Sequence, residues 1–249
     1  MALQSPRGAL VVFGSGPGIG RHIASHFASK GFHHVVLLSR NASRLQDDAA
    51  EVTATEPRAI VHTVTADVSS ATHLKEALAQ VDEKLRGHAI DVETVLFNAA
   101  RVGESEVLKF SAEELEDDFK ISVSSLYTVA QWIIPRLVRL AQDGDKASYR
   151  PSLLVTGGFL HRDPYPPLFS LSAVKAAQYN LVCTLHKVFK SSGVHCAMIL
   201  VGGFVSAEAQ QCNPKNIAEK AWDLYEQGPD VREIEIVEPD WERRTKWCH

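Results

Sequence analysis

The sequence predicts a doubly wound α/β fold, a seven-stranded, mostly parallel sheet with helices on both faces. Two observations carry this. Seven short apolar runs rich in β-branched residues recur along the 249 residues, and between them lie stretches of helical period. Most of the runs are continuously apolar rather than alternating, which suits parallel strands covered on both sides. Strand alternating with helix over the whole length then gives the doubly wound arrangement, with right-handed crossovers.

The strands are expected at Leu10–Gly14, His34–Arg40, Ile60–Val68, Val92–Ala99, Ser152–Gly157, Val194–Val201 and Glu233–Val237. Ile19, Ile23, Phe27 and Ala28 share one helix face after the first strand, and Leu74, Leu78, Val81 and Leu85 do the same before the fourth. Ser111 followed by Glu114 predicts a capping box, in which the serine oxygen takes a free amide and the glutamate reaches back. Pro135, inside the long helical stretch Ser111–Gln142, predicts a kink or break. Further helices are expected at Ser170–Ser191 and near Pro214–Glu226.

Bulk properties narrow the function classes. A hydrophobic content of 45% is ample for a buried core, and a formal net charge of -4 gives no attraction for phosphate backbones, so nucleic acid is not an expected partner. Met1 to Gly8 is too short and polar for a signal peptide, and no apolar run approaches the roughly 20 residues that span a bilayer. The cysteines Cys183, Cys196, Cys212 and Cys248 are scattered without C-x-x-C spacing, which predicts reduced thiols and no metal site. A cytoplasmic protein acting on a small molecule, with no membrane partner, is the expectation.

Directly after the first strand the chain reads Gly14-Ser15-Gly16-Pro17-Gly18-Ile19-Gly20 and passes into a helix. Glycines there let the backbone turn sharply and bring a pyrophosphate to the amides of the helix N-terminus, where the dipole favours an anion. The turn lies between strand and helix, as a dinucleotide site requires. A single Rossmann-like nucleotide-binding domain is therefore expected over residues 1–249, with a core of about 9–237 and a tail 238–249. About 20 residues further on, where an NAD site would set an acid against the ribose 2′-hydroxyl, the chain reads Leu38-Ser39-Arg40-Asn41. A guanidinium in place of a carboxylate suits the 2′-phosphate of NADP, so NADP(H) is the expected cofactor.

From about Ala9 to Val237 these features resemble the short-chain dehydrogenase/reductase family. Gly14 to Gly20 resembles that family's T-G-x-x-x-G-x-G turn, with Phe13 in place of the threonine. Asp67-Val68 resembles the pair that contacts the adenine ring, and Asn98-Ala99-Ala100 the N-A-G segment lining the cofactor. Gly202-Gly203 resembles the P-G pair after the sixth strand, without its proline. The resemblance implies cofactor contacts from Gly14, Ser15, Gly16, Pro17, Gly18, Ile19, Gly20, Ser39, Arg40, Asp67, Val68, Asn98, Ala99, Ala100 and Lys175.

The family's chemistry uses an asparagine, a serine, a tyrosine and a lysine. By position the lysine is Lys175, which the resemblance implies holds the nicotinamide ribose. Leu171 stands in the tyrosine's place, Gly158 in the serine's and Ser122 in the asparagine's. Leucine donates no proton and glycine orients no substrate. General acid–base catalysis is typically worth about 10²–10⁴ in rate, so the family's standard mechanism does not carry over.

A replacement acid is sought in Phe159 to Pro167, a proline-rich segment after the fifth strand holding His161, Arg162, Asp163 and Tyr165. It is expected to line the substrate pocket, and with His161 and Tyr165 the candidate catalytic set is Lys175, Tyr165, His161 and Ser122. Only about thirty residues lie between Gly203 and the last strand, which predicts an open pocket. The tail bearing Trp241 and Trp247 is expected to pack on the domain or on a second subunit. By resemblance, a homodimer or homotetramer would form through the two long helical stretches. Three functions fit these residues: an NADP(H)-dependent reductase with an unorthodox proton source, a non-redox isomerase or cyclase on the same scaffold, and a nucleotide-binding pseudoenzyme with a protein partner.

Overall fold

The computed structural model describes residues 7–239 and Trp241. Its strands are β1 Ala9–Phe13, β2 His34–Ser39, β3 Ile60–Thr65, β4 Val92–Phe97, β5 Ser152–Gly158, β6 His195–Gly202 and β7 Glu233–Val237. They form one sheet in the order β3-β2-β1-β4-β5-β6-β7, and every neighbouring pair is parallel. The sheet is thus wholly parallel, Rossmann-like, and sits on the expected apolar runs. Four of those runs extend too far: Gly14, Arg40, residues 66–68 and residues 98–99 leave the ladder where the chain turns out of the sheet.

Seven α-helices connect the strands: α1 Ile19–Ser29, α2 Ala42–Thr55, α3 Ala71–Arg86, α4 Ala112–Phe119, α5 Ser125–Ala141, α6 Phe169–Phe189 and α7 Pro214–Gln227. The two-residue period of the strands divides the core. Leu10, Val12 and Ile199 pack with Ile23 and Phe27 of α1 and Trp222 and Tyr225 of α7 on one face. Val11, Phe13 and Leu200 pack with Val81 of α3, Ile133 of α5 and Val182 of α6 on the other. Both faces of β1 are therefore sealed, and each large side chain buried there contributes about 1.5–3 kcal/mol.

The Ser111–Glu114 capping box forms as predicted. Pro135 does not break its helix: α5 runs through it from Ser125 to Ala141. Pro135 and Gln131, whose carbonyl loses its partner to the proline, are both exposed, so water can satisfy that carbonyl. The irregularity falls earlier, in a π-helical turn at Lys120–Ser124. Among the described residues, no helix is long and apolar enough to cross a membrane. Trp247 and Cys248, with most of the expected tail, lie outside the described residues.

From β1 the chain builds outward to β2 and β3; it then returns to place β4 on β1's other side. The loops leaving β1 and β4 diverge there and open a crevice beyond the carboxyl ends of the strands, where ligands bind in such sheets.

Candidate active site

A cleft of about 1390 Å³ occupies this crevice. Every residue nominated from the sequence for the cofactor lines it, and so do Lys175 and Tyr165; His161 and Ser122 do not.

The glycine turn forms one wall. Gly14 has φ +83°, and a Cβ there would lie 2.7 Å from the Ala99 nitrogen. A Cβ on Gly20 would lie 2.7 Å from the Gly14 carbonyl, so this glycine lets α1 approach β1. At Gly16 and Gly18 a Cβ would meet nothing within 4 Å. Their missing side chains leave an open concavity against the N-terminus of α1, which accommodates a pyrophosphate. The turn is braced from two sides. Asn98 Nδ2 donates to the Gly14 carbonyl at 2.9 Å while its Oδ1 accepts from the Thr156 hydroxyl at 2.8 Å. Ser15 Oγ donates at 2.7 Å to Asp48, a wholly buried carboxylate of α2 that also faces Arg21 at 3.8 Å.

At the end of the cleft by β2 stand Arg40 and, one turn into α2, Arg44. Arg44 was missed in the sequence. The signal was available: Asn41 caps α2 by accepting from the Arg44 amide, and that geometry returns residue 44 to the side of residue 40. Across from them, the Asp67 carboxyl is held below its usual range, chiefly by the Ser69 hydroxyl and further by the Ser69 amide and the charge of Arg40.

On the substrate side Lys175 is 9% exposed. Its Nζ donates to the Thr156 carbonyl at 2.9 Å and to Gln178 Oε1 at 2.8 Å. Gln178 Nε2 in turn donates at 2.9 Å to the Ser122 carbonyl, presented by the π-helical turn. Burial alone lowers the Lys175 ammonium from 10.5 to about 8. Ser122 therefore acts on the site through its carbonyl; its hydroxyl is buried behind the wall. Gln178, three residues after Lys175, was also missed, because it reads in sequence as an ordinary helix residue.

Leu171, at the tyrosine's place one turn before Lys175, lines the cleft with an apolar side chain. Gly158 lines it too, and a Cβ there would sit 3.1 Å from the Val201 carbonyl. The segment after β5 reaches the cleft through Leu160, Asp163, Tyr165 and Leu168. His161 turns the other way. Its ring stacks on Tyr179 at 3.9 Å, and Arg162 Nε donates to its Nε2 at 3.1 Å. That leaves Nδ1 as the protonated nitrogen, donating to the Gly158 carbonyl at 2.7 Å. Both nitrogens are occupied, so the ring has nothing to offer a substrate.

Apolar side chains form the mouth: Val102, Phe204 and Val205 line the cleft, and Phe204 is 63% exposed. The segment holding the latter two is short, and Glu238 pins its far end by accepting from the amides of Gln210, Gln211 and Cys212. Trp241, edge-on to Phe159 at 6.1 Å, also lines the cleft, so the described part of the tail packs on the fold. The arrangement offers a long nucleotide-shaped wall, a buried ammonium at its middle and an apolar compartment beyond.

Similar proteins have been solved and named. An alcohol dehydrogenase from the archaeon Thermococcus sibiricus, complexed with 5-hydroxy-NADP, superposes with a TM-score of 0.77 at 22% identity, over 92% of this chain and 95% of that one. The very-long-chain 3-oxoacyl-CoA reductase of Scheffersomyces stipitis is 27% identical over 195 residues, 76% of this chain and 54% of that protein. The protein of the same name from Mycosarcoma maydis is 33% identical over 191 residues, 76% of this chain and 51% of that protein. The chain thus spans about half the length of the curated relatives it matches. The family model described as short chain dehydrogenase matches residues 9–217, and by that match the chain belongs to the short-chain dehydrogenase family.

Proposed function

We propose that this chain, as a single dinucleotide-binding domain, is an NADP(H)-dependent oxidoreductase that reduces a small apolar organic molecule without the family's tyrosine. The observation that carries the reading is the continuity of the cleft: a glycine-walled nucleotide half with two arginines at its end opens into an apolar compartment, and Lys175 stands between them. The curated relatives are named reductases, which supports redox chemistry.

In this reading the amides around Gly16 to Gly20 hold the pyrophosphate and Arg40 with Arg44 holds the 2′-phosphate, while Asp67 and Val68 flank the adenine. Asn98, Ala99 and Ala100 form the floor, and Lys175 reaches the nicotinamide ribose. A bound reduced nicotinamide supplies a hydride. The apolar walls exclude water from the reacting centre and orient a substrate whose electrophilic carbon faces that hydride. The active species is a cytoplasmic homodimer or homotetramer, with α5 and α6 as the associating surfaces; Tyr127 on α5 and Val188 on α6 are exposed apolar side chains suited to that contact.

The experiment is a calorimetric titration of the purified protein with NADPH and with NADH, followed by assay of NADPH oxidation on carbonyl, imine and enone substrates. NADPH should bind preferentially, and Arg40→Ala should weaken it about 10- to 100-fold, the worth of a charge-assisted pair, while changing NADH much less. Binding of neither nucleotide would remove the redox reading. Tight NADPH binding with no turnover on any of the three substrate classes would favour the non-redox enzyme or the pseudoenzyme.

A further inference from the structure

We propose that the Lys175 ammonium is itself the proton donor of the reaction, aimed by the Thr156 carbonyl and by Gln178; this rests on the reading of the chain as a nicotinamide-dependent reductase. Lys175 and Leu171 are one helical turn apart and both line the cleft. Where the family has a phenol beside the lysine, this chain has a hydrocarbon. The ammonium is then the acid that this turn of α6 presents to the cleft.

Its surroundings suit the role. Nζ carries three protons, and two are held by neutral acceptors, the Thr156 carbonyl and Gln178 Oε1. The third is then shared between the nicotinamide ribose and a substrate oxygen. The groups packed on it from each element are uncharged: Thr156 of β5, Gln178 of α6 and, behind Gln178, Ser122 of the π-helical turn. Among the described residues no carboxylate bonds Nζ; Asp163 and Tyr165 line the same cleft without pairing with it. Burial lowers the ammonium to about 8, within the range where a lysine serves as an acid near neutral pH.

Gln178 is the positioning residue. It is fully buried, and its donation to the Ser122 carbonyl fixes the amide so that Oε1 faces Lys175. An amide oxygen orients the ammonium without neutralising it, whereas a carboxylate there would hold the proton back. The proton balance is complete. The carbonyl carbon gains the hydride of the reduced nicotinamide, and the π pair moves to oxygen. That oxygen takes a proton from Nζ, giving alcohol, oxidised nicotinamide and a neutral amine, which recovers its proton from water once the products have left.

Two measurements test this on the full chain. Competitive acetylation of the cofactor-free protein, read at Lys175 by mass spectrometry across pH, should give a midpoint near 8; Gln178→Glu should move it up by at least one pH unit. NADPH oxidation with an aromatic 1,2-diketone should fall tenfold per pH unit above that midpoint. The fall should move upward with it in Gln178→Glu and keep its position in Tyr165→Phe. NADPH affinity, measured in parallel by calorimetry, should change little in Gln178→Glu. A wild-type acetylation midpoint near 10.5 would overturn the inference without any assay of turnover. So would a rate profile that follows Tyr165 or stays put in Gln178→Glu. Failure of the wild type to bind NADPH would instead overturn the functional reading beneath it.

Discussion

An ammonium with no counter-charge in a protein wall costs folding free energy, and the cost has a pH signature. Lys175 is lowered from 10.5 to about 8 by burial. At about 1.36 kcal/mol per pH unit this corresponds to about 3 kcal/mol against the charged native state. The sign follows from proton counting. Below about 8 both folded and unfolded chains hold the proton, and the full cost applies. Between about 8 and 10.5 the native lysine is neutral while the unfolded one is still charged, so stability rises with pH, by about 1.4 kcal/mol per unit. Other groups act oppositely at alkaline pH. Burial raises the Cys212 thiol to about 11 and Cys196 to about 12, so those thiols withdraw stability above about 9. The comparison must therefore be a difference. Lys175→Met keeps the length and apolar stem but leaves the Thr156 carbonyl and Gln178 Oε1 without their donor, a roughly pH-independent cost of 1–3 kcal/mol each. Urea denaturation of both cofactor-free proteins at pH 7, 8, 9 and 10 should show wild-type stability gaining on the variant by about 3 kcal/mol on extrapolation to pH 10.5. A flat difference would mean that the lysine titrates normally and that the buried, uncompensated ammonium is wrong.

Four further outcomes are expected. Gly14→Ala should lose at least about 2 kcal/mol, from the strained φ of +83° and the 2.7 Å approach to the Ala99 nitrogen, read as a lower thermal midpoint. Gly16→Ala should keep stability within about 1 kcal/mol, yet weaken NADPH in calorimetry, because its methyl points into open space. His195 is 1% exposed, donates through Nε2 to the Val231 carbonyl at 2.7 Å, and is lowered to about 4, chiefly by burial. The unfolded histidine takes a proton below 6.5 that the native one refuses, so stability should fall by about 3 kcal/mol between pH 6.5 and 4, and fall less in His195→Gln when both are denatured in urea. Finally, Leu171→Tyr should return a phenol beside Lys175, so that 1,2-diketone reduction no longer falls tenfold per pH unit above about 8; an unchanged profile would mean that the vacated place no longer faces the substrate.

How far the sequence could be read depended on what each feature demands of the chain. The nucleotide wall is made largely of backbone, and backbone demands are local. Gly14 and Gly20 are required by contacts under 3 Å, so the motif survives as letters in a row, and it placed the turn correctly. The strands were legible for a similar reason, since burial on both faces of the sheet admits few residue types. Their ends were not: Asn98 leaves the ladder for Gly14 and Thr156, partners that only the assembled sheet provides, and Asp67 leaves it for a turn closed by Ser69. The substrate half is made of side chains brought together by crossovers. Gln178 reaches Ser122 across 56 positions, and the Arg101–Asp118 ion pair that Ser170 joins spans three segments, so no local pattern announces either. His161 is the instructive failure. It stands in the right segment with the right chemistry, but Tyr179 of α6 captures its ring, and Glu233 of β7 holds that tyrosine. The same separation bears on the erased residues. Leu171 and Gly158 read as losses when each is compared with a motif. Around Lys175, under the proposal that its ammonium is the proton donor, they are a change of environment, in which a lysine without its phenol takes over the phenol's task.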